Sequence, residues 1–286
     1  VSFTVDTAFV TSFEALVQHL SQQEGTLRGS CREKRIVGKS HNFERLSSVE
    51  MAEVNTRHST IALTEVTHSR RRALVRNFAT TELIDEEDEV RLLINPQSEY
   101  VKAFAMARGR RYDQTVINAI RNPATSVDAA DVESTVALPA AQQIAAGGTG
   151  FTFDKANQAV RILNFGSVPQ GQRHAIISPH GVEDLLNETE VTSSDFSTLR
   201  ALMNGSIDKV VWMGMQWHMT TLLPITGTTR SCFFYHHDGV GIATTHEKSV
   251  INTNPERNNA TQVQDKSGLG GTRIDDAMVV QIDIVE

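Results

Sequence analysis

The spacing of apolar residues changes several times along this chain, and each change predicts a different kind of element. Over residues 11–23, Phe13, Leu16, Val17 and Leu20 fall on one helical face behind a Thr11–Glu14 capping box. That predicts a short helix whose narrow apolar face needs a partner surface to be stable. Residues 28–82 lose this period. Arg, Ser, Thr and Val are frequent there, and "IALTEV" and "ALVRNFATT" read as extended strands. Few large apolar side chains occur in the segment, so it is expected to own no core and to project as a long hairpin. Helical spacing then returns in its clearest form. Asn95 can cap, Pro96 suits the first turn and Asn122-Pro123 ends the run; Val101, Phe104, Ala105, Tyr112, Val116, Ala119 and Ile120 share one stripe. Such a helix is about 39 Å long, above the globular average, with Gly109 as a weak point inside it.

Residues 123–150 are rich in Ala, Gly and Thr and end in "AAGGTGF", which reads as a linker or loop. Residues 151–250 pattern as a compact α/β unit. A helix is expected around Asp154–Leu163, then the strand "HAIIS", a helix from Pro179, and a helix within Asp195–Met203 closed by Gly205. Strands follow at "KVVWMGMQWH" and "CFFYHHDGVGIA". Residues 252–271 are polar and Gly/Asn-rich, and "AMVVQIDIV" at 277–285 predicts a final strand.

With 286 residues, 40% hydrophobic and 21% charged, the chain can form one large domain or two modest ones around a real core. No apolar stretch approaches a membrane span, and no basic-then-apolar signal opens the sequence. Cys31 and Cys232 are too few and too far apart for a disulfide framework or a zinc ribbon, and read as buried thiols in a reducing compartment. The net charge of −7 argues against a surface built throughout to grip nucleic acid. That charge is uneven. Between Arg28 and Arg76, 11 Lys/Arg face 5 Asp/Glu, so this stretch carries +6 and the rest carries −13. Asp85, Glu86, Glu87, Asp88 and Glu89 follow as five consecutive acids. A charge run alone is ordinarily a solvated face, but a basic stretch beside an acidic one suits matching between copies.

Candidate chemistry is thin. Ser178, among His174, His180, Glu183 and Asp184, sits where a hydrolase nucleophile can sit. The nucleophile elbow needs glycines at the positions held here by Ile176 and His180. Pro179 also lacks the backbone N–H that an oxyanion hole uses. Ser-Pro instead reads as a helix cap followed by a first turn. In "YHHDG", His236 and His237 would point to opposite faces of a strand, and His236 with Asp238 lacks a third ligand, so a strand-end histidine is expected. "GKS" at 38–40 has Glu33 where a phosphate loop starts with glycine, and "GGTGF" lacks the third glycine of a dinucleotide fingerprint. Trp212 and Trp217 read as core.

The order of segments carries more than any one of them. A short N-terminal helix and a basic extended region lead to "ELIDEEDEVRLLINPQSEYVKAFAMARGRRYD" and "LPAAQQIA". Then come "GFTFDKANQAVRIL", "RHAIISPHGVEDLL", "SSDFSTLRALMNGSIDKVVWMGMQWH", "FFYHHDGVGIAT" and "GGTRIDDAMVVQIDIVE". Over roughly residues 10–286 this resembles the major capsid proteins of tailed double-stranded-DNA bacteriophages, with the Hong Kong 97-like fold, in the coat-protein family typical of short-tailed phages.

The resemblance implies an α+β fold with an N-terminal arm and short helix (1–37) and an E-loop formed as an extended β-hairpin (38–82). A P-domain (83–130) would carry the spine helix 96–121, an α/β A-domain would span 131–250, and 251–286 would return to the P-domain with the C-terminal strand. It implies a structural, non-enzymatic protein without cofactor, metal or membrane, assembling as pentamers and hexamers into an icosahedral head around double-stranded DNA. Portal, scaffolding and decoration or cement proteins would be its partners. It would reside in the virion and assemble in the bacterial cytoplasm. Some members of the fold cross-link neighbours through a lysine on this loop; Lys39 lies near its root, but no motif identifies a partner. Arg70, Arg71 and Arg72 are expected against Asp85, Glu86, Glu87, Asp88 and Glu89 of another subunit. The alternatives are an encapsulin-like compartment shell, or a hydrolase or metal-dependent enzyme built on 151–250.

Overall fold

A computed structural model describes residues 23–51, 53, 63, 65–84, 96–128, 131–188, 211–254 and 260–286. The expected helix at 11–23 (except Gln23), the acidic run 85–89, the Asn95 cap and the helix within 195–203 lie outside the described residues.

Strands β1 (Arg32–Arg35), β2 (Ser40–Leu46), β3 (His68–Leu74) and β4 (Arg76–Ile84) form where the sequence reads as extended. β2 and β3 pair antiparallel, from Ser40 opposite Leu74 to Leu46 opposite His68, making a hairpin arm. The arm does not own a core. It borrows one, as Phe43 and Ala73 pack on Ala243 and Ile274. Helix α1 (Pro96–Arg121) is the long helix expected from the stripe. Its second half is core, with Tyr112, Val116, Ile117, Ala119 and Ile120 buried, whereas Ala105 of the same stripe is exposed. The division falls at Gly109, where the chain at Gly25 crosses the helix and begins to cover it.

Residues 123–150 are not a plain linker. They hold β5 (Ala124–Val127), β6 (Glu133–Val136) and β7 (Gln143–Ile144). β5 and β6 widen the arm into a four-stranded sheet ordered β2-β3-β5-β6. Strands of four residues or fewer, without alternating large apolar residues, leave no period to read. Helix α2 (Phe153–Phe165), strand β8 (Arg173–Ile177) and helix α3 (Pro179–Asn187) then follow the expected order. The single strand expected at 209–218 is a hairpin instead, β9 (Val211–Trp212) and β10 (Met215–Met219). Its turn residues Met213 and Gly214 have φ of 52° and 73°, the left-handed conformation of a tight hairpin turn.

β11 (Ile225–Thr226) and β12 (Thr229–His236) precede the longest pair in the molecule, β13 (Val240–Asn254) and β14 (Ala260–Arg273); β15 (Val279–Val285) closes the chain. The polar stretch 252–271 therefore lies mostly in strand. One sheet runs β1-β13-β14-β4, with α1 laid so closely on β14 that a Cβ on Gly271 would sit 2.7 Å from that of Ala119. A second, seven-stranded sheet runs β7-β15-β12-β8-β10-β9, with β11 on β12. On it Trp217 packs against Phe234, Phe151 and Trp212 with ring centroids 5.2–6.1 Å apart, so both tryptophans are core, as expected. Among the described residues no helix is long and apolar enough to cross a membrane.

Candidate assembly surfaces

The hairpin arm presents the features a subunit needs for association. Val37, Leu46, Val49, Met51, Leu63 and Leu74 lie on or beside it, and all are more than half exposed. Apolar side chains gathered on one thin projection gain nothing from their own chain and call for a partner surface. Alternation along β3 sorts the arginine triplet. Arg71 points inward, 4% exposed, and donates to Asp276 at 2.8 Å. Arg72, on the opposite face, donates to Asn42 at 3.0 Å and pairs with Asp131 and Glu133. Arg70 shares that face, is half-exposed, and among the described residues pairs only with Glu44, at 3.8 Å. All three therefore have carboxylates within their own chain, with Arg70 the most loosely paired.

The start of the described chain is tied down firmly. Thr26 and Leu27 donate their N–H groups to the buried carboxylate of Asp113 at 2.8 and 3.1 Å. A Cβ on Gly25 would stand 2.7 Å from the Gly109 Cα, so these two glycines let backbone cross backbone. Gln23 bonds Thr220 and Thr221. The apparent weak point in α1 is thus a crossing point.

The chemical candidates resolve as structure. Ser178 is fully buried and caps α3: its hydroxyl accepts from the Gly181 N–H at 3.1 Å and donates to Glu286 at 2.5 Å. His236 ends β12, and its Nδ1 accepts from the Asp238 N–H at 3.2 Å. Loop 145–150 wraps a lysine rather than a phosphate. The Lys155 ammonium lies 2.8–3.2 Å from the carbonyls of Ala146, Thr149, Gly150 and Asp283. Lys39 sits in the closure of the hairpin, its carbonyl accepting from Val75. Burial pushes the thiols of Cys31 and Cys232 up to about 12, and both are free. Burial, helped by His218, pushes His174 down to about 4, and the two imidazoles approach to 3.1 Å across β8 and β10.

Several of these arrangements had no signal in the sequence. Asp113, Lys155, Asp276 and Arg273 are ordinary charged residues until the fold brings distant backbone groups to them. Arg273 is fully buried and donates to the carbonyls of Ile120, Asn122 and Val136 while pairing with Asp276. It ties the end of α1 to the arm's sheet.

A long helix laid across an elongated sheet, an α/β unit beside it and a projecting arm define a shell subunit of the Hong Kong 97-like fold. The comparisons agree. The sequence profile of the phage capsid protein family matches residues 5–286, and the chain belongs to that family. The capsid subunit of the cyanophage P-SCSP1u superposes with a TM-score of 0.75 at 15% identity, covering 98% of this chain and 94% of that one. A chain from Mycobacterium phage Che8 gives 0.71 at 12% identity, covering 96% and 97%. The capsid of Ralstonia phage GP4 gives 0.70 at 8% identity, covering 100% and 98%. No protein of curated function matches the sequence. The chain is a structural major capsid protein of a tailed phage, a virion component that self-associates into capsomers.

Proposed function

We propose that this subunit occupies both the pentamers and the hexamers of an icosahedral head enclosing double-stranded DNA, and that it performs no catalysis. The observation that carries the reading is the arm, whose exposed apolar side chains have no core of their own to enter. In this reading residues 38–82 are the E-loop lying over a neighbour, and 83–130 with the return at 251–286 form the P-domain. Residues 131–250 form the A-domain at the symmetry axes. The head assembles in the bacterial cytoplasm with a portal and with scaffolding and decoration proteins. Cohesion comes from many repeated weak contacts rather than one tight interface.

The face of Arg70 and Arg72, with Arg71 fixing the strand beneath, meets the acids Asp85–Glu89 of another copy. The mildly acidic chain suits DNA that must slide during entry and exit, because a strongly cationic wall would hold phosphates through counterion release. Electron microscopy of the expressed protein tests the reading. Closed shells or capsomers are expected, and a persistent 31.5 kDa monomer, or hydrolytic turnover lost in Ser178→Ala, would overturn it.

A further inference from the structure

Beside the arginine triplet, α1, β4 and β14 enclose an open groove of about 370 Å³. Arg72, Arg76, Phe78 and Arg111 line it over a floor that includes Gly270 and Gly271, and no carboxylate lines it among the described residues. Arg72 is already neutralised by Asp131 and Glu133. The other two guanidinium groups are not. Arg111 lies 3.8 Å over the Phe78 ring and donates to the neutral Gln114 amide. Arg76 is exposed and forms no ion pair among the described residues. Two guanidiniums with no acid beside them, in a concave site, call for an anionic occupant.

The chain carries a segment of matching charge, the five acids 85–89. β4 runs from Arg76 at the groove to Ile84, eight residues on, or about 27 Å at strand rise. α1 runs antiparallel to β4, since Arg111 stacks on Phe78 while Phe104 and Arg108 lie beside Ala79 and Thr80. The chain therefore re-enters the fold at Pro96, fifteen residues and about 22 Å along the helix from Arg111, on the side away from the groove. Ile84 and Pro96, the described residues that flank the run, thus both lie toward the end away from the groove.

We infer that the groove of Arg76 and Arg111 receives the acidic run of a second copy of this chain, a head-to-tail contact that propagates from subunit to subunit. The inference rests on the shell reading and extends the partner surface of its acids from the Arg70 and Arg72 face into the adjoining groove, which Arg72 also lines. Such a contact is heterologous, so it closes into rings or continues across a lattice instead of stopping at a dimer.

The test uses the full-length chain, with assembly of the wild type as the first measurement; failure there refutes the shell reading itself. Arg76→Glu, at an exposed position, is expected to leave the circular dichroism spectrum and melting temperature unchanged and to slow assembly about tenfold. Lysines at 85–89 should do the same alone and recover part of the assembly rate when combined with Arg76→Glu and Arg111→Glu together. Arg76→Cys paired in turn with Glu86→Cys, Glu87→Cys and Asp88→Cys locates the contact. At least one pair should give, on oxidation of assembled particles, a non-reducing ladder at multiples of 31.5 kDa. The native cysteines are buried and do not compete. Wild-type-like assembly of Arg76→Glu, no ladder from any pair, or only a fast-migrating internally closed monomer overturns the inference. So does a defect in Arg76→Glu confined to DNA retention, which would assign the groove to phosphate.

Discussion

Replacing Asp276 with asparagine removes the one carboxylate shared by two buried arginines. One oxygen accepts from Arg71 at 2.8 Å and the other pairs with Arg273, whose side chains are 5% and 0% exposed. Arg273 would keep its three carbonyl acceptors on α1 and β6. Arg71 would not be so placed. Burial already pushes its pKa down, Asp276 is the main charge opposing that, and its Nε and Nη1 have no hydrogen-bond partner among the described residues. Breaking a buried pair by removing one partner costs about 3–5 kcal/mol, and because Arg273 stays bonded the lower end applies, about 3 kcal/mol. For a chain of this size that is a fall of about 6–12 °C in melting temperature. Urea denaturation of unassembled Asp276→Asn subunits should show a lower midpoint with an unchanged slope. Adding Arg71→Met should recover part of the loss, because it removes the orphaned charge rather than the partner. A loss below about 1 kcal/mol, or no recovery in the double variant, would refute this account of the cluster.

Gly25→Ala should destabilise by about 1–3 kcal/mol, because the new Cβ meets Gly109 backbone at 2.7–2.8 Å; a neutral urea midpoint would count against the crossing. Ser178→Ala should cost about 1 kcal/mol as a lost helix cap, read by thermal melting, with assembly retained. The His174 pKa of about 4 lies below the unfolded value near 6.5, so the unfolded chain binds the extra proton between these limits. Its contribution is full above pH 6.5 and is lost as pH falls toward 4, amounting to about 3 kcal/mol, and His174→Asn should flatten that part of the stability profile. A profile as steep in the variant as in the wild type would rule this out.

The elements that could be read from sequence were those with a long period or a chemical punctuation mark. Helix α1 declared itself through a stripe bounded by prolines, and α3 through Ser178-Pro179. β14 and β13 beyond Ala243 escaped because a sheet with a wet face is written in Thr, Asn, Gln and Ser, the same residues that write loops. The hairpin turn at Met213-Gly214 was hidden inside an apolar run. The assembly surface was half legible. The charge imbalance was visible in composition, but which arginines are already occupied depends on Asp131, Glu133 and Asp276, which lie about 60 to 200 positions away. Alternation along β3 could have separated Arg71 from Arg70 and Arg72, though it could not have named their partners.

The two free thiols bear on how a virion endures. On the proposed assembly inside a bacterial cell, it would pass from that interior to the open environment, and so between opposite redox conditions. Disulfide formation needs a thiolate, and a thiol held at about 12 is ionised only about once in a hundred thousand molecules at neutral pH. Cys31 and Cys232 are also sealed from oxidants by the core around them. These two thiols are therefore expected to be the same before release and after it. Whatever toughens the particle outside the host must come from somewhere other than the subunit's own sulfur, which does not respond to the journey.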